Sequence, residues 1–199
     1  MIARAGEKDI QRRILDAAEQ CLLRAGPAAR LHHVIAERAG VSRPTVYKHL
    51  GDQKAIVEAL LHRELSRYLD AVRDVLVQRG TLRDRFVETI VFTITYARGH
   101  ALLQRMLLEE PQIVLPWLTT HAAPVIERGV AAMSPHIQPG GRRAGGTIDP
   151  KVVAEWGIRL AVSLITMPSS VAHLDTPDGL RRYLLDLLDL GLVPLPADE

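Results

Sequence analysis

Arg43, Tyr47 and Lys48 lie close together on a stretch, Ser42 to Leu50, whose apolar spacing is helical. Val46 and Leu50 are four apart and point to one side, while Arg43, Pro44, Tyr47 and Lys48 share the other. A guanidinium, an ammonium and a phenol on one outward face suit phosphate oxygens and base edges, the two targets a protein meets on duplex DNA. Ser42 can cap this helix, its hydroxyl taking a free backbone N–H. Pro44 falls in the first turn, where its missing N–H costs nothing. The helix N-terminus so formed can hold a phosphate.

Something must present that helix. Upstream, Val34, Ile35 and Ala39 put apolar groups at helical spacing, so a short helix is expected over about His32 to Ala39. Gly40 stands where a helix ends in a left-handed residue, and Val41 can plug the gap between the two helices. Two helices and a tight turn are the layout of a helix-turn-helix, whose second helix enters the major groove with its N-terminal end foremost. An amphipathic helix over Asp9 to Ala25, with Ile10, Ile14, Ala17, Ala18, Cys21, Leu22 and Ala25 on one stripe, completes a three-helix head. Gly26-Pro27 is expected to end it, and residues 1–8 read as a loose basic arm. Arg12 and Arg13, near the start of that first helix, are placed to graze the DNA backbone.

The string Ile35-Ala36-Glu37-Arg38-Ala39-Gly40-Val41-Ser42 followed by Thr45-Val46-Tyr47-Lys48-His49 resembles the DNA-binding segment of TetR-family transcription regulators. The resemblance covers about residues 9–56, with a general likeness of layout beyond. The chain departs from the family at Leu31, where threonine is usual, at Leu50, where phenylalanine is usual, and at Gln53, where lysine is usual; Lys54, one residue on, is the candidate substitute cation. The candidate DNA-binding set is therefore Ser42, Arg43, Pro44, Thr45, Tyr47, Lys48, His49 and Lys54. Arg43 and Lys48 are expected on bases or backbone, and Tyr47 and Thr45 on phosphate.

Charge distribution agrees. The net charge of the 199 residues is +2, yet residues 1–54 hold ten Lys and Arg against six Asp and Glu, while residues 155–199 hold three against seven. A positive end on a balanced protein suits a polyanion bound there. Cys21 is the sole cysteine, so no intrachain disulfide can form. No run of about eighteen apolar residues occurs, so no membrane span is expected and the reducing cytoplasm is the expected compartment.

Downstream, Gln53 to about Arg79 reads as one long helix. Helices follow from Thr81, from His100 to Glu109, and from Pro111 to Met133, the last interrupted at Pro116 and near Pro124. Residues 134–150, rich in Pro and Gly, read as a loop. Asp149-Pro150 starts another helix with Asp at the cap and Pro at the first position, and a final one runs from Pro177 to about Leu190. No useful period-2 alternation appears, so the fold class is all-α, with about nine helices and a helix-turn-helix head over 9–54; the resemblance to the TetR family implies that residues 55–199 are a C-terminal ligand-binding and dimerisation domain.

No GxSxG, HExxH, P-loop or dinucleotide fingerprint occurs, and the eight histidines are dispersed, so neither an enzyme, a cofactor nor a metal site is expected. The resemblance implies a homodimer on operator DNA and a repressor released by a small molecule. The apolar rows over 152–164 and 180–188 suit the dimer contact. Phe86, Phe92, Tyr96, Met106, Trp117, His121, Trp156 and Arg159 are the candidate pocket residues. A ligand-independent DNA-binding dimer, or a helical protein-interaction module, are the alternatives.

Overall fold

The computed structural model describes residues 2–25, 31–137, 149–167, 169, 170 and 173–191. The described residues form ten α-helices and one short 3-10 turn at Ser134–His136, without a strand. They divide into two compact units, residues 1–68 with 98–123 and residues 69–97 with 124–199.

The first unit holds α1 (Ile2–Ala25), α2 (Leu31–Ala39), α3 (Arg43–Leu50), most of α4 (Gln53–Leu76), α6 (Ala101–Glu109) and α7 (Pro111–Leu118). Helix α1 begins at Ile2, so the expected loose arm is helical. Nothing in Ala3 to Lys8 breaks a helix outright, and Gly6 to Asp9 are exposed, so these turns extend into solvent. The expected stop at Gly26-Pro27 lies outside the described residues.

One apolar cluster runs through the unit. Ile14, Leu22, Ile35, Val46, Ile56, Val57 and Leu60 are all fully or almost fully buried in it, together with Leu102, Met106 and Val114 from α6 and α7. The three-helix head is too small to close a core alone, and it closes one by sharing α4, α6 and α7. Polar contacts bind the same elements. Arg63 of α4 reaches Asp16 at 2.8 Å and Glu19 at 2.6 Å on α1, while Arg67 bridges Glu19 and Glu64. His100 caps α6, its Nδ1 accepting the Leu103 N–H at 3.2 Å while Nε2 donates to Glu64 at 3.0 Å. Burial by itself would raise the Glu64 pKa; the His100 hydrogen bond and the Arg67 charge outweigh it and hold the carboxyl below its usual range. The Arg105 guanidinium donates to the Leu23 carbonyl, placing a cation at the C-terminus of α1.

The second unit holds the end of α4, α5 (Leu82–Gly99), α8 (Ala123–Met133, from Pro124 on), α9 (Pro150–Thr166) and α10 (Pro177–Gly191). Val87, Ile90, Val91 and Ile94 of α5 share a core with Ala161, Leu174, Leu180 and Leu184. The predicted start of α9 is found: Asp149 caps it, accepting the Lys151 N–H at 2.8 Å. Three small or glycine positions, Ala154, Gly157 and Ala161, form its buried face, and a Cβ on Gly157 would stand 3.1 Å from the Phe86 ring. The tenth helix arises because residues 111–133 break once, between Leu118 and Ala123. Pro116 sits inside the eight-residue α7, and Pro124 is tolerated in the first turn of α8. Helix α4 stops at Leu76 rather than near Arg79.

Helix α10 is tied to α5 by a two-pronged pair, Arg181 Nε to Glu88 Oε1 at 2.6 Å and Nη2 to Oε2 at 3.0 Å. The Arg181 hydrogen bond holds the Glu88 carboxyl below its usual range. A carboxyl depressed in the folded state adds stability that is present above its ordinary value of 4.5 and is lost as pH falls through its folded value. The melting temperature is therefore expected to fall as pH drops below about 4.5, and to fall less steeply in Glu88→Gln; thermal melts from neutral to acid pH read the difference.

Candidate nucleic-acid interface

The turn that presents α3 is closed as the sequence predicts. Gly40 takes φ +64°, the Gly40 N–H donates to the Glu37 carbonyl at 3.2 Å, and the Val41 N–H donates to the Ala36 carbonyl at 3.0 Å. This is the six-to-one and five-to-two closure of a helix ending in a left-handed residue, with Val41 packed on the core. A Cβ at Gly40 would also meet the Arg13 guanidinium at 3.1 Å. Arg13 itself donates to the Ala39 carbonyl at 2.5 Å, capping the end of α2. Arg13 is nonetheless exposed.

Ser42 caps α3: its hydroxyl accepts the Thr45 N–H at 3.2 Å and lies 2.8 Å from the Thr45 hydroxyl. Pro44 occupies the first turn. Val46 and Leu50 are buried, so Leu50 keeps the contact expected of it. Arg43, Pro44, Tyr47 and Lys48 are exposed on the other side. Among the described residues neither the Arg43 nor the Lys48 side chain makes a hydrogen bond or ion pair. Two cations and a phenol therefore stand on an outward helix face, the two charges unpaired among the described residues.

The remaining expected residues are less free. His49 is half-buried. Lys54 is exposed and lies 3.8 Å from Glu58 one turn on. Gln53 turns inward, its amide donating at 2.9 Å to the buried carboxylate of Glu110, which also accepts from Gln112 at 2.5 Å. The start of α4 is thus fastened to the elbow between α6 and α7. Leu31 is buried in the core, and Val34, expected inside, is exposed while Ile35 and Ala36 take the inner face of α2.

Sequence reasoning missed two features because each joins distant residues. One is the Gln53–Glu110 contact. The other is His32, whose ring stacks on Tyr47 with centroids 4.0 Å apart and planes 7° apart. Neither carries a local sequence signal.

The candidate pocket residues fall in both units. Met106 is buried in the first unit's core, Trp117 is half-buried with its ring nearly perpendicular to that of His62, and His121 is exposed. In the second unit Phe86 stacks on Trp156 at 4.7 Å, Phe92 lies near Tyr96 at 5.9 Å, and exposed Arg159 pairs with Glu155 at 2.6 Å.

Comparison with known proteins covers both regions. Residues 14–60 match the family model described as bacterial regulatory proteins, tetR family, and residues 82–184 match the bacterial tetracyclin repressor C-terminal domain. An uncharacterized HTH-type transcriptional regulator of Mycobacterium tuberculosis is 29% identical over 161 residues, covering 78% of this chain and 74% of the relative. The M. tuberculosis HTH-type transcriptional regulator AlkX is 25% identical, over 92% of this chain and 87% of its own. Among solved structures, the TetR family repressor AlkX from Dietzia sp. superposes with TM-score 0.65 at 21% identity, covering 89% of this chain and 92% of that one.

Proposed function

The chain belongs to the TetR family of bacterial regulatory proteins, helix-turn-helix transcription regulators that bind DNA, and on that premise we propose that it is a homodimeric repressor whose grip on an operator is released by a small molecule. The observation that supports the DNA-reading face is the exposure of Arg43, Tyr47 and Lys48 on a capped helix, with no side-chain partner for the two cations among the described residues. In this reading Arg43 and Lys48 meet bases or phosphates, Ser42, Thr45 and Tyr47 add hydroxyls, Pro44 shapes the leading turn, and His49 and Lys54 flank the groove. Two such heads, spaced one DNA turn apart at about 34–36 Å, match successive major grooves on a two-fold site.

Residues 9–54 read the operator and residues 55–199 dimerise and receive the effector. Val152 and Trp156 on α9 and Leu187 on α10 leave apolar surface exposed on the single chain, which supports these helices as the contact between copies. The half-buried aromatics of α5, Phe86, Phe92 and Tyr96, are the proposed lining of the effector site. Release requires the effector to prefer one of two states, and the coupling is typically about 1–3 kcal/mol.

An electrophoretic shift with DNA from upstream of the protein's own gene tests the reading. A retarded band at low salt, lost on adding an effector, is the expected result; unchanged mobility at low salt refutes it. Tyr47→Phe isolates the phenol: a hydroxyl on phosphate predicts a loss of about 1 kcal/mol in DNA affinity with the melting temperature preserved. Wild-type affinity in that variant removes the assignment.

A further inference from the structure

We infer that His32 is a positioning residue for DNA binding, acting through Tyr47; the inference rests on the reading of Tyr47 as a DNA contact. Tyr47 is 46% exposed, and its ring lies flat against the His32 imidazole, 4.0 Å away and 7° from parallel. The imidazole is itself held. Its Nε2 lies 2.9 Å from the Gly51 carbonyl, and because a carbonyl only accepts, Nε2 carries the proton and donates. The Gly51 N–H in turn donates to the Tyr47 carbonyl at 2.9 Å. His32, Gly51 and Tyr47 therefore form a closed circuit in which the turn after α3 fixes the imidazole and the imidazole fixes the phenol.

An exposed tyrosine without such a plate samples several χ1 wells. Restricting it to one before DNA arrives removes part of the ordering cost that binding would otherwise carry. Aromatic stacking of this kind corresponds to about a two- to tenfold change per recognition helix. Residue 32 thus tunes the operator grip without touching DNA.

A double-mutant cycle read by fluorescence anisotropy on the shifted DNA fragment tests this, with thermal melts alongside. His32→Ala is expected to weaken binding about two- to tenfold per head, and to cost nothing further in a Tyr47→Ala background. His32→Phe keeps the plate without the donor and is expected to restore most of the affinity. His32→Gln keeps a donor for Gly51 without the plate; it is expected to melt like wild type yet bind weakly, and it stands in for His32→Ala should that variant unfold. Equal cost of the His32 change with and without Tyr47, or wild-type affinity in His32→Gln, overturns the inference while leaving the Tyr47 contact in place. Wild-type affinity in Tyr47→Ala overturns the Tyr47 assignment and the inference with it.

Discussion

Lys48→Ala is expected to weaken binding by a similar factor on every duplex tested and to flatten its salt dependence. Each phosphate neutralised contributes a slope of about −0.9 in log K against log salt. A dimer that loses one contact per head should therefore lose about 1.8 from the slope, which is about a sixtyfold weaker complex at 0.1 M salt relative to 1 M. The side chain is exposed and unpaired among the described residues, so its removal should leave the melting temperature unchanged. Anisotropy titrations over a salt series measure both quantities. A reduced affinity confined to one operator sequence would instead place Lys48 on a base edge, and an unaltered slope would remove it from the phosphate backbone.

Ile35→Ala is expected to destabilise the protein by about 2–5 kcal/mol, as a fully buried branched side chain replaced by a methyl leaves both lost transfer energy and a cavity. Val34→Ala, one residue earlier, should stay within about 0.5 kcal/mol, because Val34 is 39% exposed. Urea denaturation at fixed protein concentration compares the two. The contrast is informative because helical spacing alone gives the two neighbours the same standing. The first unit's core, shared by α1, α2, α3, α4, α6 and α7, also implies that Ile35→Ala loosens the recognition helix, so DNA affinity should fall with stability. Equal costs at the two positions would mean that α2 is rotated from the orientation described.

Much of the interface was legible in the letters because it is built from local chemistry. The Ser42 cap, the left-handed Gly40, Pro44 in the first turn and the division between Val46 with Leu50 and Arg43 with Lys48 all follow from contacts within a few residues. The same holds for Asp149-Pro150 at the start of α9 and for the absence of strands among the described residues. Helix ends were less legible: α1 continues to Ile2 and α4 stops at Leu76, because exposed turns persist or fray on small differences in propensity.

What the sequence determined by itself, then, is an all-helical chain with a capped, cationic, outward recognition helix, since caps, turns and 3.6-residue periodicity depend on neighbours in sequence. Tertiary structure alone decided which cations remain available and what steadies the tyrosine. Arg13 is drawn to the Ala39 carbonyl and Arg63 to Asp16 and Glu19, while Gln53 meets Glu110 across 57 positions and His32 meets Tyr47 across a turn. Those pairings depend on how helices lie against one another, and that is set by burial of the whole apolar cluster rather than by any local run of residues.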